Sequence, residues 1–168
     1  NMLTTVPNVD YAATPGMTEI HVVDMPATNL LVVTAGSIDR DDDKLQASMR
    51  ANMEWINRNL SANGLTAAGP MRIITSEMGR ENYTFDVAVP VTKAGALTGL
   101  KLSGPVKYVQ APAGRAVTAG YTGYWAGLET VHNALRAWAM TQGYEPTDRP
   151  FDVYKHGIEC AFTENGQY

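Results

Sequence analysis

The sequence contains the stretch Val23-Asp24-Met25-Pro26-Ala27 and, 86 positions later, the similar stretch Val109-Gln110-Ala111-Pro112-Ala113. After each stretch come an apolar strand, an amphipathic segment with one tryptophan and an Asn-Gly or Gln-Gly pair, in the same order. The two tryptophans, Trp55 and Trp138, are 83 positions apart. Because unequal loops shift such offsets by only a few residues, the pattern predicts two βαβ-type halves of about 80 residues in one pseudo-symmetric domain. A groove between two such halves is a natural place for a ligand.

The composition is typical of one ordinary soluble domain. The chain has 168 residues, of which 18% are charged and 45% are apolar, and its net charge is −4. A chain of this length buries about 68–70% of its unfolded surface, so we expect no metal or other cofactor to be needed for folding. No apolar run is long enough to span a membrane, and no block of Lys or Arg offers a phosphate-binding surface. We therefore expect no membrane partner and no nucleic acid bound by this chain alone.

The domain organisation is also predicted from local patterns. Residues 1–16 lack periodicity and are expected to form an extended lead-in, while 17–168 are expected to form one domain, with module 1 at about 17–92 and module 2 at about 105–168. The N-terminal stretch has no basic segment followed by an apolar run, so a cytoplasmic location is expected. The single cysteine, Cys160, cannot form an internal disulfide and is expected to be a small buried side chain.

Apolar periodicity defines the elements of the first half. Strands are predicted at 18–25 and 30–35, and a hairpin at 71–76 and 83–91. Between them, a helix is indicated by apolar residues that recur at steps of three and four positions: Leu45, Met49, Met53, Ile56 and Leu60. The acidic residues at its start complement the helix dipole, and they lack the spacing of an EF-hand calcium loop.

The second half repeats this order. Strands are predicted at 106–111 and 116–121, and a helix with an apolar stripe follows: Leu128, Val131, Leu135 and Trp138. Two last strands are predicted at 151–154 and 158–163. The fold class is therefore α+β, with antiparallel sheets and the helices on one face.

Strand alternation places acidic and aromatic side chains on the sheet face away from the helices. Along 83–91, Asp86 alternates with Val87, which is expected to lie under a helix. In the second half, Asp152 and Tyr154 are expected on the face away from the helices, and Glu159 joins them if 158–163 is a strand. These residues are candidates for contact with a ligand.

An aromatic cluster, Tyr121, Tyr124 and Trp125, stands at the junction of a strand and a helix. Aromatic faces near a carboxylate suit flat apolar molecules, especially cationic ones, through stacking and cation–π attraction. The same cluster also fits a role in the core. The sequence holds no nucleophile elbow, phosphate loop, Rossmann glycine pattern or HExxH motif, and its three histidines lack the spacing of metal ligands. Motifs therefore provide no evidence of catalysis.

The sequence resembles the GyrI-like effector-binding domains, the ligand-sensing part of multidrug-responsive bacterial transcription activators, which also occur as stand-alone proteins. The resemblance covers about 17–165 and rests on four stretches in this order: Tyr83-Thr84-Phe85-Asp86-Val87-Ala88-Val89-Pro90-Val91, Pro112-Ala113-Gly114-Arg115-Ala116-Val117, Gly123-Tyr124-Trp125 and Phe151-Asp152-Val153-Tyr154. It implies two β-α-β-β modules related by a pseudo-twofold axis.

The resemblance also implies a function. Family members receive bulky hydrophobic, often cationic, compounds in a cleft between the modules, and Asp86, Trp125, Tyr154 and Glu159 best fit the acidic and aromatic cleft positions. The sequence departs from the family at its end, which stops soon after Asn165-Gly166, and this weakens the transfer of a role to Glu159. We expect a stand-alone domain that sequesters or senses such compounds.

Three other interpretations remain open. Some stand-alone relatives hydrolyse cyclopropane-bearing DNA-alkylating drugs, and here Glu159 or Asp86 would be the general base. Pseudo-symmetric domains of this kind also bind protein partners, which an exposed apolar patch would indicate. SOUL-type haem proteins have a similar fold, but no histidine here stands at a convincing axial-ligand position.

Overall fold

The computed structural model describes residues 14–93, 95 and 97–168, so most of the predicted lead-in lies outside the described residues. Eight strands are described: β1 His21–Met25, β2 Thr28–Asp39, β3 Thr66–Ala67, β4 Arg72–Met78, β5 Asn82–Thr92, β6 Lys107–Ala111, β7 Gly114–Thr118 and β8 Phe151–Val153. Three α-helices are described: α1 Asp42–Asn63, α2 Leu128–Thr141 and α3 Ile158–Ala161. A single 3₁₀ turn, Trp125–Gly127, leads into α2. The predicted α+β class is confirmed.

The strands form two antiparallel sheets. The larger sheet has the order β6-β2-β5-β4-β8, with β3 added to the end of β5. The smaller sheet consists of β1 and β7. Each half of the chain therefore lends one strand to the other half, because β1 pairs with β7 and β6 pairs with β2.

The strand positions confirm the internal duplication. β6 and β7 lie 86 positions after β1 and the start of β2, the same offset that separates Pro26 from Pro112. β8 begins 79 positions after β4, and these equivalent strands pair with each other, with Ile73 opposite Asp152. When a strand pairs antiparallel with the equivalent strand of the other half, a pseudo-twofold axis relates the two strands. The axis therefore passes between β4 and β8.

Helix α1 covers one face of the larger sheet. Its stripe Leu45, Met49 and Ile56 is fully buried in one cluster with strand residues such as Leu31 and Val87. The helix begins where the Asp41 carboxylate accepts a hydrogen bond from the backbone N–H of Lys44, and it ends at Gly64, whose φ of 63° is the left-handed conformation that glycine adopts most easily. Burial of this apolar stripe stabilises the fold through the hydrophobic effect.

Helix α2 covers the smaller sheet in the same way. Val131 packs with Ile20 in a second cluster, which Val117, Leu135 and Trp138 flank. Val117 stands 86 positions after Leu31, so the two equivalent strands present equivalent residues to their helices. Among the described residues, no helix is both long and apolar enough to cross a bilayer.

The prediction of a strand at 158–163 is wrong, because α3 occupies its first part. Alternating Ile158, Cys160 and Phe162 resemble a strand, but Ile158 and Phe162 also stand four positions apart, on one side of a helix. Both side chains pack against the large core. Gly157, with φ 88° and ψ 177°, precedes the helix in an extended conformation of positive φ that favours glycine. A period of two and a step of four cannot be distinguished over so short a run.

The predicted face of Asp152 and Tyr154 is also wrong. Asp152 stands opposite Ile73, which is fully buried on the helix side, so Asp152 points to the helices. There His132 of α2 donates from Nε2 to both carboxylate oxygens at 2.9 Å, which compensates the burial of a charge. Tyr154 is fully buried in the same core. Phe151 takes the opposite face.

We expect Trp125→Ala to lower the free energy of unfolding by about 3–5 kcal/mol. The Trp125 side chain is 2% exposed, its ring stacks on Tyr83 at 5.9 Å between centroids, and its Nε1–H donates to Asp42 at 3.0 Å. Trp138→Ala should cost less, because the Trp138 ring is only partly buried. Urea unfolding followed by far-ultraviolet circular dichroism measures both. An equal or larger loss in Trp138→Ala would contradict this order.

Candidate functional site

The larger sheet has one face that α1 does not cover, and we call it the outer face. Residues that stand directly opposite each other in neighbouring strands point to the same side of a sheet. Pairing with Ala88 and Asp86 on β5 therefore assigns the members of the outer face on the neighbouring strands. They include Leu30, Val32, Arg72, Ile74, Asp86, Ala88, Pro90, Val109, Phe151 and Val153.

A groove of about 350 Å³ opens at one end of the outer face. It lies between the β1–β2 turn, the loop that leads from β3 to β4, and strands β5, β4 and β8. The described lining residues are Ala27, Thr28, Asn29, Ala68, Gly69, Pro70, Arg72, Pro90, Val91, Thr92 and Val153. Small-molecule sites in proteins commonly have volumes of about 300–1,000 Å³. We call this feature the groove.

Arg72 is the charged residue among the described lining residues of the groove. Its Cζ lies 4.5 Å from the centroid of the Phe151 ring, in a cation–π contact. Its Nε is buried and has no hydrogen-bond partner in the part of the chain that the structure describes. Desolvation lowers the pKa of Arg72. The pKa of an arginine side chain lies so far above neutral pH that Arg72 keeps its positive charge.

Three further polar side chains line the groove, those of Thr28, Asn29 and Thr92. The Asn29 side-chain oxygen accepts a hydrogen bond from the Tyr108 hydroxyl at 2.7 Å, which fixes the orientation of the amide. The Thr28 hydroxyl donates to the Pro26 carbonyl at 3.0 Å. The remaining lining is mostly apolar, so the groove combines a hydrophobic wall with a few oriented polar groups.

Asp86 lies on the outer face, as strand alternation predicts. Its carboxylate accepts a hydrogen bond from Arg149 Nη2 at 2.9 Å, and Arg149 Nη1 donates to the Ser76 hydroxyl at 2.8 Å. The Asp86 residue is 8% exposed, whereas the Arg149 side chain is half-exposed. The negative charge that the sequence offers to a cationic ligand is therefore already paired with a guanidinium.

The aromatic cluster lies on the helix side of the sheet. The Tyr124 hydroxyl and the Trp125 Nε1–H both donate to the Asp42 carboxylate at the start of α1. Tyr121 stacks on Tyr168 at 5.5 Å between ring centroids. These contacts place the three aromatic residues in or beside the core, so the structure does not bring them together with Asp86.

The other predicted site residues also lie away from Asp86. Tyr154 is buried and meets Tyr168 edge to face at 5.2 Å between ring centroids. Glu159 stands on α3, where its carboxylate pairs with Arg50 of α1 at 3.2 Å and its side chain is 79% exposed. Whether any of these residues contacts a ligand stays a prediction.

The sequence patterns did not single out Arg72 or Arg149. Arg72 alternates with Ile73 on β4, and this alternation was a usable signal: a lone arginine on the outer side of a strand, two positions after Pro70. Arg149 stands outside the predicted strands, and its contact with Asp86 joins residues 63 positions apart. The first residue could have been found by alternation, whereas the second depends on tertiary structure.

Comparisons of sequence identify a family. The family model for the GyrI-like small molecule binding domain matches residues 18–162. No curated protein matches the sequence.

Comparisons of structure agree with that match. The crystal structure of the EcmrR C-terminal domain is similar, with a TM-score of 0.69 and 20% identity over 89% of this chain and 92% of that one. The EcmrR chain of a cryo-EM complex with DNA has a TM-score of 0.68 at 20% identity, over 90% of this chain. This chain spans only 55% of that EcmrR chain.

A third solved structure carries a different description. The crystal structure of a hydrolase from Listeria innocua has a TM-score of 0.59 and 14% identity, over 89% of this chain and 88% of that one. At such identities the likeness concerns the fold. Since the family model covers most of the chain, and the fold agrees with it, the protein belongs to the family of GyrI-like small-molecule binding domains.

Proposed function

We propose that this domain binds bulky hydrophobic small molecules on its outer face, with the groove as the main site, and thereby sequesters or senses them. The groove carries this proposal, because it combines a suitable volume with apolar walls from Pro70, Pro90 and Val153. Membership in a small-molecule binding family supports it. A sensing role draws support from EcmrR, which is seen in a complex with DNA.

A preference for cationic ligands depends on Asp86. Because Arg149 holds this carboxylate, a cationic ligand has to take the place of the Arg149 guanidinium. The exchange is physically reasonable, since Arg149 is half-exposed and a ligand cation would compensate the buried Asp86 carboxylate in its place. The proposal for cationic, multidrug-like ligands therefore includes the displacement of Arg149 as a step.

Hydrolysis has less support from the site. Among the described lining residues of the groove there is neither Asp nor Glu. Glu159, the first candidate base, is exposed on the helix side and paired with Arg50. The similarity to the Listeria innocua hydrolase is a similarity of fold. We therefore propose binding as the function.

Filling the groove should weaken binding. Ala68 is exposed in the loop between β3 and β4 and lines the groove, while its backbone N–H bonds to the Pro90 carbonyl, which a substitution leaves in place. We expect Ala68→Trp to lower the affinity for the neutral dye Nile red roughly tenfold, which corresponds to about 60 Å² of lost apolar contact between dye and protein. Fluorescence titration measures the affinity.

The matched control is Ala51→Trp, an exposed alanine on α1 that does not line the groove. This variant should bind Nile red as the unmodified protein does. Equal affinity in Ala68→Trp and Ala51→Trp would place the binding site elsewhere.

The exchange at Asp86 has its own test. Arg149→Gln frees the Asp86 carboxylate, so we expect it to tighten binding of the cationic dye rhodamine 6G roughly two- to fivefold and to leave Nile red unchanged. Adding Asp86→Asn to this variant should remove the gain. A rhodamine affinity that is the same with and without Arg149 would show that Asp86 is not the cation site.

A further inference from the structure

Arg72 differs from the other cationic side chains that the structure describes by a buried nitrogen without a hydrogen-bond partner, since several of the others also form no ion pair. Arg40, Arg50, Arg58 and Arg149 each lie within 4 Å of a carboxylate oxygen, in ion pairs with residues from other elements or the next helical turn. Arg72 forms no such pair within the described residues. Its Nε is also buried without a hydrogen-bond acceptor there. A buried donor without an acceptor costs free energy and requires an explanation.

The position of the Arg72 guanidinium suits an acceptor that comes from outside the chain. The Cζ atom of Arg72 lies over the ring of Phe151, on the neighbouring strand β8, at 4.5 Å from the ring centroid. A guanidinium held by its face keeps N–H groups on its edge, and these form a planar fork that matches the two oxygens of a carboxylate. Arg72 also lines the groove, so the fork is within reach of a ligand there.

The charges around Arg72 define the ligand further. Arg72 is the charged residue among the described lining residues, and the outer-face carboxylate of Asp86 is occupied by Arg149. One fixed positive charge balances one negative charge. A carboxylate therefore fits better than a phosphate dianion, which would leave an uncompensated charge beside Val153 and Pro90.

We propose that the groove binds hydrophobic carboxylic acids, with the ligand carboxylate paired to the Arg72 guanidinium and the apolar body against the groove wall. This rests on the proposed function of the groove and names the ligand class of the groove alone, because the proposal for cationic ligands concerns Asp86, which is not among the described lining residues of the groove. The terminal nitrogens of Arg72 donate to the two carboxylate oxygens, and the nearby negative charge also offsets the electrostatic cost of the buried Nε–H, which has no partner among the described residues.

Three probes of nearly equal shape test the proposal: 2-naphthylacetate, its neutral amide and the cation 2-(2-naphthyl)ethylamine. Calorimetric titration of the unmodified protein should give the acid an affinity roughly 10- to 100-fold higher than the amide, as expected for a charge-assisted pair. The cation should bind more weakly than the amide, because Arg72 repels it.

Variants assign the preference to Arg72. Arg72→Gln should remove the preference for the acid and leave the affinity for the amide unchanged, while Arg72→Lys should keep part of the preference, since it retains the charge without the fork. Arg58→Gln is the matched control, because Arg58 also stacks on an aromatic ring, Trp55, at 5.0 Å but outside the groove. It should behave as the unmodified protein.

The outcomes separate this inference from the proposed function. Equal affinity for acid and amide, or a preference for the acid that persists in Arg72→Gln, overturns the inference. The proposed function still stands in that case if Ala68→Trp lowers the affinity for both the acid and the amide. If no probe binds and Ala68→Trp does not change the affinity for Nile red, both the inference and the proposed function are overturned. Should Arg72→Gln fail to fold, the acid-to-amide ratio in Arg72→Lys decides: an unchanged ratio overturns the carboxylate fork.

Discussion

The pairing of β4 with β8 is the constraint on which the rest of the structure depends. It joins equivalent strands of the two halves, with Ile73 opposite Asp152, and so determines which side chains of each half face the helices. A shift by one residue would turn every side chain of β8 to the other face. The outer position of Phe151, and hence its contact with Arg72, follows from this register.

The same register places a carboxylate in the helix-side core. Burying a charge is costly unless a partner is present, and His132 of α2 provides that partner at 2.9 Å. The pair connects α2 to the central axis of the molecule. Apolar packing of Val131 holds the helix against the smaller sheet, so a polar and an apolar contact together position α2.

Much of the fold could be predicted from the sequence, because periodicity and duplication are local signals. The stripe of α1 and the alternation around Asp86 each extend over many residues, and both predictions are confirmed in the structure. The face of β8 could not be predicted, since three residues carry too little alternation and a buried Asp152 contradicts the usual hydrophobic pattern. The site was less predictable still: alternation gives the outer-face position of Asp86, but its partner Arg149 depends on tertiary contacts, and contact of Asp86 with a ligand stays a prediction.

The exchange of strands between the halves has a consequence for the origin and folding of the chain. β1 pairs with β7 and β6 with β2, so each half completes its neighbour's sheet. This is the arrangement of a domain-swapped homodimer whose two copies have become one polypeptide. Neither half has a closed set of strand partners alone, so the sheets form through contacts between residues distant in sequence. Such non-local pairing slows folding, because distant parts of the chain must meet before their contacts stabilise it.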